Sequence, residues 1–577
     1  MRLSGGEFGG IGSALGGSPA TRSIAANEAP SRLRRLGERE IADAVARIRR
    51  KEIDLALRRR LLPIARGAEE TIYAAGDLSG LAYAKMRGLK VIALANRHRV
   101  LSLLQARFRG RLKHAASRRL LEDAPIFSAA RRLTPSQGWF LFVALAIGLL
   151  AGAALGAMAG MILGVLCSLF FMMVIGLRLL SLGGPVEAEH LEPITVPDSA
   201  LPEFTILVPL FREISVVRQI LDSLAAIDYP PGRLDVKIVL EENDRETVDY
   251  VCDCVLPPHF EVIVVPAGKP QTKPKALNYA LNFARGDLIA VFDAEDVPDP
   301  KQLRLAAGVF AKAPADLACV QARLDFFNAD DNWLTRQFAI EYAVLFRRLL
   351  PVLASLSLPL PLGGTSNHFR TDILRQVGGW DPHNVTEDAD LGLRLARLGY
   401  RTGVIDSETS EEANGAPGNW MQQRARWLKG WMQTWLVHMR EPARLYRELG
   451  WAGFLAMQAW LGGLIFSSLV HPFFLAYTVW LLARGEFFPA RADLLGTMIV
   501  GLNLAVLVMG YGAYVLVAWE ALARRVDRHL RLWLVLTPFY WLMISAAAWL
   551  ALWQLIRNPY GWNKTRHGLV RRPQGET

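Results

Sequence analysis

Cysteine is scarce in this chain of 577 residues, which holds four copies: Cys167, Cys252, Cys254 and Cys319. Cys252 and Cys254 lie close together, but no second pair follows at a spacing that zinc sites use. We therefore expect neither a structural zinc site nor a disulfide framework. This absence fits a reducing compartment.

Charged residues are also few, at 21% against 52% hydrophobic residues. This balance disfavours a soluble protein, and the length is too great for a single domain. The net charge of +12 comes from basic residues that border long apolar runs, as is typical of the cytoplasmic face of a membrane protein. A nucleic-acid-binding protein would carry its basic residues on a soluble fold. We therefore expect membrane lipids, and no nucleic acid, among the partners.

Long uncharged stretches divide the chain. Residues 138–182 have no charge before Arg178, exceed the ~20 residues of one straight span and contain central glycines, so they predict a transmembrane hairpin. Residues 451–518 predict two transmembrane helices. A crossing by residues 531–557 would put the basic tail, residues 558–577, outside and break the positive-inside rule. We therefore expect an interfacial or re-entrant helix there, four spanning helices in all, and a cytoplasmic tail.

The N-terminal part lacks a basic segment followed directly by an apolar core, so we expect no signal peptide. Residues 1–30, rich in Gly, Ala and Ser, are predicted to be disordered. Residues 31–135 predict a small cytosolic α/β domain, because helical spacing from Arg39 to Ala65 precedes two strand-like segments, ETIYAAGD and GLKVIALAN. This domain either docks on anionic lipid through its arginines or regulates the rest of the chain.

Between the apolar stretches, residues 202–440 alternate strand-like and helical segments, which predicts a mostly parallel α/β sheet. One strand-like run, DLIAVF, leads directly into the acids Asp293, Glu295 and Asp296. Carboxylates at the C-terminal end of a strand lie where open α/β sheets bind ligands, and their hard oxygens suit Mg2+ or Mn2+. A solvated strand end followed by a helix cap is the alternative.

Further motifs favour a ligand site over a cap. An acidic pair, Glu241 and Glu242, ends an earlier strand; VTEDADLGLRL holds Thr386, Glu387 and Asp388; and QQRARW holds Gln423, Arg426 and Trp427. In these motifs the sequence resembles the processive, membrane-embedded family 2 glycosyltransferases of the cellulose synthase and hyaluronan synthase type. Their pattern is an acidic pair after an early strand, a DxD, a TED and a QxxRW. The DxD here reads Asp293-Ala294-Glu295.

The resemblance implies a GT-A fold for residues 202–440, inserted between transmembrane helices. It implies inverting transfer of a sugar from a nucleotide sugar, UDP-linked, to a growing β-linked polysaccharide that is then exported. It also implies Mg2+ or Mn2+ as the cofactor, held by Asp293 and Glu295 with Asp296 as an alternate ligand. The place of action would be the bacterial inner membrane, with the catalytic domain on the cytoplasmic side.

The site residues follow from the same resemblance. The catalytic set is Asp388 as general base, Glu387 and Asp293. The nucleotide-sugar set is Glu241, Glu242, Lys275, Asp293 and Arg426. The acceptor set is Gln423, Trp427, Thr365 and His368. A loop closing over the donor would contain Lys564, Thr565 and His567.

Several alternatives stay open. Glu387 and Asp388 could only favour the start of the following helix through its dipole. The enzyme could be non-processive and act on a lipid-linked acceptor, or the chain could be a transporter with a regulatory domain, which would need no carboxylate cluster. The order of elements in residues 31–135 resembles the N-terminal domain of type II secretion ATPases, some of whose relatives bind cyclic di-GMP. Cyclic di-GMP and a periplasmic or other export subunit are therefore candidate partners, beside the donor and a glycan acceptor.

Overall fold

The computed structural model describes residues 33–67, 70–131, 133–183, 194–484 and 494–558. The segment 1–30, expected to be disordered, and the expected donor-closing loop with Lys564, Thr565 and His567 lie outside these ranges.

The chain divides into two compact units, and the described residues of the first, Met1–Phe108, form a small α/β domain. Its strands are Arg34–Arg35 (β1), Leu61–Arg66 (β2), Thr71–Ala75 (β3) and Lys90–Leu94 (β4), in the sheet order β1-β4-β3-β2. Its helices are Glu38–Ala46 (α1), Ile53–Arg59 (α2), Leu78–Met86 (α3) and the first part of Arg97–Asp123 (α4). The described residues of this unit thus have the α/β make-up predicted from the sequence, while the cytosolic location and the role of the domain stay predictions.

The helical spacing predicted from Arg39 to Ala65 is only partly correct. The stretch forms α1 and α2, and α2 ends at Arg60, whose backbone is left-handed at φ 52°. From Leu61 on the chain becomes β2, which pairs antiparallel with β3 and buries Leu61 completely. Pairing with a neighbouring strand therefore overrides the local helical pattern.

The boundary between the two units lies inside α4, before the expected domain end at residue 135. Residues after Phe108 contact the second unit: the Asn278 side chain donates to the carbonyl of Ala116 over 3.3 Å. The Arg440 guanidinium likewise donates to the carbonyls of Pro125 and Ile126. The second half of α4 and the segment after it are thus held by hydrogen bonds within the second unit.

An apolar helical hairpin follows, made of Pro135–Leu155 (α5) and Ala157–Gly183 (α6). Gly156 joins the two helices in a conformation with φ of 51°, which glycine adopts without a Cβ clash. These helices lie where the sequence predicts a hairpin. That the hairpin crosses a membrane stays a prediction.

The centre of the second unit is an eight-stranded sheet in the order β7-β6-β5-β8-β11-β10-β12-β9. The strands are Phe204–Leu210 (β5), Leu234–Glu241 (β6), Phe260–Val265 (β7), Leu288–Val291 (β8), Val297–Pro298 (β9), Leu317–Phe326 (β10), Asn367–Arg370 (β11) and Arg401–Glu411 (β12). All but β11 and β9 run in the same direction. The mostly parallel sheet predicted from the alternating pattern is confirmed.

Nine helices of the described chain accompany this sheet. They are Ile214–Ala225 (α7), Arg245–Asp253 (α8), Lys273–Leu281 (α9), Gln302–Lys312 (α10), Trp333–Val344 (α11), Leu350–Ser355 (α12), Thr371–Gln376 (α13), Glu387–Arg397 (α14) and Pro417–His438 (α15). Strand β6 is buried along its whole length, as expected for a strand covered on both faces.

Four helices follow in the described part of the chain, and all but the first half of α16 are apolar: Pro442–Met457 (α16), Gly463–Ala483 (α17), Leu494–Ala521 (α18) and Thr537–Arg557 (α19). By length and composition, five segments of the described residues are apolar enough to cross a membrane: Pro135–Leu155, Met158–Gly183, Pro442–Trp480, Thr497–Ala521 and Arg528–Arg557. The last includes residues 531–557, so an interfacial rather than a spanning course there stays a prediction. The expected break at Thr537-Pro538 is present, since α19 begins at Thr537.

One apolar cluster joins the helices around the eight-stranded sheet to the C-terminal helices. Phe338 of α11 and Trp420 of α15 belong to the same buried cluster as Tyr514 of α18 and Tyr540 of α19. The Arg424 guanidinium crosses this junction, because it pairs with Glu341 at 2.5 Å and donates to the Tyr540 hydroxyl over 2.9 Å. The sheet domain and the apolar helices of the second unit therefore share a core.

Candidate active site

A cavity of about 430 Å³ opens at the carboxyl ends of β6, β8 and β12. Its acidic lining residues are Glu213, Glu241, Asp293, Glu295, Glu341, Glu387, Asp388, Glu411 and Glu412. The carboxyl ends of parallel strands meet at one edge of a sheet, so carboxylates that are distant in sequence converge there. The sequence-predicted Asp293, Glu387 and Asp388 are thus brought into one cavity.

Asp293 follows β8 and is held from three sides. Its backbone N–H donates to Asp296 Oδ2 over 2.6 Å and to the Thr365 hydroxyl over 3.2 Å. Its carboxylate pairs with the Lys273 ammonium at 2.5 Å. Lys273 also donates to the carbonyl of Gly364 over 2.6 Å. Burial lowers the pKa of Lys273, but the carboxylates of Asp293 and Glu387 outweigh this and raise it, so the lysine is a fixed positive charge.

Asp388 lies in the first turn of α14, facing Asp293 across Gly364. A methyl group added to Gly364 would lie 3.4 Å from Asp388 Oδ2 and 3.9 Å from Asp293 Oδ2. Burial raises the pKa of Asp388 to about 6, and the Asp293 carboxylate adds to the rise. Burial, with the neighbouring Asp388 charge, also raises the pKa of Glu387. A carboxyl group with a pKa near neutrality is suited to accept a proton in catalysis.

Buried polar contacts fix the segment that carries Asp388. Asp390, one turn into α14, accepts from His438 over 3.1 Å and pairs with Arg394 at 3.1 Å. Thr386 packs against Gly430 of α15 so closely that a methyl group there would lie 2.5 Å from its Cγ2 and 2.8 Å from its backbone nitrogen. The position of Asp388 therefore depends on the absence of a side chain at Gly430.

Gly430→Ala should displace the Thr386 segment, because no real Cβ approaches backbone that closely. We expect a loss of about 1–3 kcal/mol in the free energy of unfolding, as for other overpacked sites, measured by thermal or denaturant melting. Gly418→Ala, near the start of the same helix, is the control, since a methyl group there meets nothing within 4 Å. Equal stability of the two variants would contradict the close approach.

Gln423, Arg426 and Trp427 all face the cavity from α15. The side-chain oxygen of Gln423 is buried and has no hydrogen-bond partner in the described part of the chain. Burial lowers the pKa of Arg426, while the carboxylates of Glu387 and Asp293 act in the opposite direction. The α15 helix therefore presents an amide, a cation and an indole ring to the carboxylate cluster.

Glu241 and Glu242, the acidic pair at the end of β6, lie in different environments. Glu241 lines the cavity and pairs with the Lys275 ammonium at 3.0 Å, both residues being buried. Glu242 does not line the cavity but accepts from the Ala267 N–H over 3.0 Å and pairs with Arg109 at 2.7 Å. The Arg109 hydrogen bond lowers the pKa of Glu242 to about 2. Neither Lys275 nor Glu242 is among the residues that border the cavity.

Thr365 and His368 are three residues apart, but only Thr365 borders the cavity. Thr365 lines the cavity and donates to Asp296, which is itself buried behind Asp293. His368 is fully buried in β11, where its Nδ1 is 3.3 Å from the carbonyl of Val320 and its ring contacts Phe204 and Phe292. The structure thus places His368 in the core of the sheet and away from the acceptor end of the cavity.

Two lining residues were absent from the sequence prediction. Lys273 stands two positions before the predicted Lys275, at the start of the same helix. Glu411 ends β12, and burial together with the carboxylates of Asp296 and Glu295 raises its pKa well above the usual range. The acidic run SETSEE at a strand end was a usable signal for Glu411, of the same kind as the one that indicated Asp293.

The cavity continues from the carboxylates into the space between the apolar helices. Its lining there includes Arg178, Trp431, Trp460, Tyr514 and Trp541. A smaller cavity of about 120 Å³ adjoins it and shares Arg178, Ser467 and Trp541 with it. An aromatic-lined space therefore leads away from the carboxylate cluster.

The sheet, the carboxylate cluster and the α15 helix all lie in the part of the chain that is similar to known proteins. Residues 202–430 match the family model described as Glycosyltransferase like family 2. This match confirms the predicted family 2 resemblance for the region we call the family 2 domain. With the sheet order described above, it also confirms the predicted GT-A-like fold.

Curated relatives of this domain differ in what their names describe. Beta-monoglucosyldiacylglycerol synthase of Synechocystis sp. is 30% identical over 295 residues, which cover 49% of this chain and 59% of that protein. Glucomannan 4-beta-mannosyltransferase 1 of Oryza sativa is 26% identical over 259 residues, or 44% and 47% of the two chains. Cellulose synthase catalytic subunit of Xanthomonas axonopodis is 29% identical over 252 residues, or 42% and 33%. The chain thus spans about half the length of these relatives.

A solved structure also resembles the chain. The mannosyltransferase PcManGT from Pyrobaculum calidifontis, in complex with GDP-Man and Mn2+, is 17% identical. The similarity covers 67% of this chain and 99% of that one, with a TM-score of 0.41.

Proposed function

We propose that the chain is an inverting membrane glycosyltransferase that moves a sugar from a nucleotide sugar, UDP-linked, to a growing β-linked polysaccharide and exports the product. The observation that carries this proposal is the cavity: it joins a carboxylate cluster in the family 2 domain to an aromatic-lined space between apolar helices. A donor can react at the first end, and a glycan can occupy the second.

In this proposal Asp388 is the general base. It takes the proton of the acceptor hydroxyl, whose oxygen then bonds to the anomeric carbon of the donor sugar while the bond to the diphosphate breaks. Attack from the face opposite the diphosphate inverts the anomeric centre. The raised pKa of Asp388 supports this role, since a base works best with a pKa near the working pH. Glu387 lies beside it, and its own raised pKa means that it holds its proton more readily than an ordinary glutamate.

The leaving diphosphate needs positive charge, which Arg426 and Lys273 supply from opposite elements, α15 and α9. The planar guanidinium of Arg426 suits two phosphate oxygens at once. No group of three metal-ligating side chains occurs among the described residues. Mg2+ often takes only one or two carboxylates and fills its shell with substrate phosphates and water, so Asp293 and Glu295 fit such an ion. Mg2+ or Mn2+ held there would further neutralise the diphosphate.

The remaining residues divide between donor and acceptor. Glu241 is the candidate for the nucleoside, because it borders the cavity. Lys275, which pairs with Glu241, and Glu242, which pairs with Arg109, do not border it. Gln423, Trp427 and Thr365 are candidates for the acceptor. The indole face of Trp427 can stack on a sugar ring. His368 is left out of this set because it is enclosed by the sheet.

A non-processive enzyme acting on a lipid-linked acceptor is the second candidate function. It is favoured by the 30% identity to a protein named Beta-monoglucosyldiacylglycerol synthase. The names of the glucomannan and cellulose enzymes favour the polysaccharide product instead. The site residues serve both reactions, and only the length of the product differs.

The proposed function also implies a cellular location and binding partners for the protein. The catalytic domain would face the cytoplasm at the bacterial inner membrane, where nucleotide sugars are available. Cyclic di-GMP acting on the N-terminal domain, and a periplasmic or other export subunit, are proposed as partners from the sequence resemblance alone.

The deciding experiment is incubation of the full chain in lipid nanodiscs with a panel of nucleotide sugars and Mg2+ or Mn2+. We expect release of the nucleoside diphosphate with one donor and a saccharide product long enough to resist extraction into organic solvent. A single sugar on a lipid would support the second candidate. Absence of transfer with every donor would contradict both.

Two lysines two positions apart allow a matched prediction. Lys273→Ala should weaken donor binding about tenfold to a hundredfold, because a charge-assisted hydrogen bond is worth about 1.5–3 kcal/mol. It should cost less stability than Lys275→Ala, because its partner Asp293 is only partly buried. Lys275→Ala should instead lower the free energy of unfolding by about 3 kcal/mol, since it leaves Glu241 buried without its partner. Calorimetric titration and thermal melting separate the two effects. Lys301→Ala, at an exposed lysine, is the control. If Lys275→Ala weakened donor binding and Lys273→Ala lowered stability, Lys275 would be the lysine that binds the donor.

The transfer rate should depend on pH through Asp388. Its pKa, raised by burial to about 6, means that the base is ionised and active above that pH and becomes protonated below it. We expect kcat/KM for transfer to fall about tenfold for each pH step of one below 6, while the donor Kd changes less. A rate that stays flat down to pH 4.5 would remove Asp388 from this role.

A further inference from the structure

Arg178 is a cation placed inside the bundle of apolar helices. It lies in α6, five positions before the end of a helix that is apolar enough to cross a membrane. An arginine so near a helix end can usually reach the water at the membrane surface. Here the guanidinium turns inward instead and donates to the carbonyl of Gly510 over 3.3 Å.

The surroundings of Arg178 only partly compensate its charge. The guanidinium carbon lies 5.0 Å from the ring centre of Trp541 and 5.5 Å from that of Tyr514, so both rings contribute a cation–π contact. Within the described ranges no carboxylate forms an ion pair with it. An unpaired charge among apolar helices is costly and is usually retained for a function.

Arg178 borders both the catalytic cavity and the smaller cavity beyond it. Among the described residues that line the smaller cavity, it alone carries a permanent charge. The guanidinium therefore lies where the two cavities adjoin.

The lining of the smaller cavity combines apolar side chains with stacked aromatic rings and a few polar groups. Ser467, Ser468 and Ser545 border it; each hydroxyl donates to a carbonyl of its own helix, so its oxygen is left as an acceptor. The rings of Tyr511 and Trp541 stack with their centres 4.7 Å apart, and the Tyr511 hydroxyl is 2.8 Å from His471 Nε2. Hydroxyls and aromatic faces suit the polar edges and the apolar faces of sugar rings.

We propose that Arg178 and this hydroxyl- and aromatic-lined cavity form a subsite for an acidic glycan, in which the guanidinium pairs with a carboxylate of the acceptor chain. The inference rests on the proposed glycosyltransferase function and names the class of its acceptor: a β-linked chain in which some sugars carry a carboxylate. One guanidinium matches one carboxylate in a bidentate pair, whereas a lipid diphosphate would bring more charge than a single arginine can balance.

The test is a binding experiment without donor on the full chain in phosphatidylcholine nanodiscs. Two short β-linked oligosaccharides of equal length are titrated: a neutral cello-oligosaccharide and one with glucuronic acid at alternate positions. We expect the acidic chain to bind about tenfold more tightly, equivalent to about 1.4 kcal/mol, and this preference to shrink with added salt. Equal affinities, or a preference that is insensitive to salt, would overturn the proposal.

Variants assign the preference to the guanidinium. Arg178→Gln should bring the acidic chain down to the affinity of the neutral one, and Arg178→Lys should keep part of the difference. Arg484→Gln, at the exposed end of α17, should change nothing, since Arg484 borders neither cavity. A preference that survives in a folded Arg178→Gln variant would overturn the assignment. If that variant does not fold, the salt dependence of the wild type and the Arg178→Lys affinity still decide.

A third ligand separates the glycan from a lipid source of negative charge. A short-chain polyprenyl phosphate should compete only weakly with the acidic oligosaccharide. Strong competition that depends on Arg178 would replace the acidic glycan by a lipid phosphate and overturn the proposal. Because no donor is present, these outcomes are independent of the transfer assay. Failure of transfer with every nucleotide sugar would count against the proposed function, and loss of the acid preference would count only against this subsite.

Discussion

Asp388→Asn should lower the rate of sugar transfer about a thousandfold, in the range that general-base catalysis contributes, while the donor Kd stays within a few-fold of wild type. The amide keeps the size and the hydrogen-bonding shape of the side chain but cannot take the proton of the acceptor hydroxyl. The buried contacts around α14 do not involve this side chain beyond the Ala389 N–H, which donates to it over 2.8 Å. The measurement is single-turnover transfer with saturating donor, paired with calorimetric titration of the nucleotide.

The matched control is Asp372→Asn. Asp372 also lies in the first turn of a helix, α13, but is exposed to solvent and outside the cavity. It reports the cost of removing one negative charge from a helix start, a few tenths of a kcal/mol to about 1 kcal/mol. If both variants transferred sugar at similar rates, Asp388 would only be favouring the start of its helix.

Asp293→Ala should have the second large effect, on donor binding and its dependence on metal. The Asp293 carboxylate pairs with Lys273 at 2.5 Å, and in the proposed function it is a ligand of the divalent ion. Without it the proposed metal ion loses a ligand, and Lys273 loses the carboxylate with which it pairs. We expect the donor Kd to rise about a hundredfold, equivalent to about 2.8 kcal/mol, and to become independent of added Mg2+ or Mn2+.

Titration of UDP with and without metal measures this effect. Asp253→Ala, at the exposed end of α8, provides the control for removal of an acid far from the cavity. If Asp293→Ala left both the affinity and its metal dependence unchanged, the acids after β8 would serve only to stabilise the strand end.

Local patterns were sufficient for the parts of the site that lie at the ends of elements. The apolar run before Asp293 indicated a buried strand, and β8 indeed ends at Val291, just before the acid. Thr386 to Asp388 were predicted at a helix start, and α14 begins at Glu387. Such positions can be predicted because consecutive residues change from apolar to acidic at the end of the element.

The direction of single side chains was less predictable. Lys273 and Lys275 are two apart in a helix, so they point to different faces, and only the packing of α9 decides that Lys275 faces Glu241 in the core. His368 and Asn367 alternate along β11, and the fold turns the imidazole towards Phe204 and Phe292. The continuation of the cavity past Arg178 depends on how four helices pack, which is tertiary information.

The apolar cluster shared by α11, α15, α18 and α19 has a consequence for biosynthesis. During translation, residues 202–440 are synthesised before the helices that supply Tyr514 and Tyr540 to that cluster. Until those helices emerge, Phe338 and Trp420 lack part of their apolar surroundings, and Arg424 lacks the Tyr540 hydroxyl. A nascent chain in this interval exposes apolar surface that is prone to aggregate. Residues 202–440 therefore gain their full set of core contacts only after the last apolar helices are made. A fragment that ends at residue 440 lacks these contacts and leaves the corresponding apolar surface exposed.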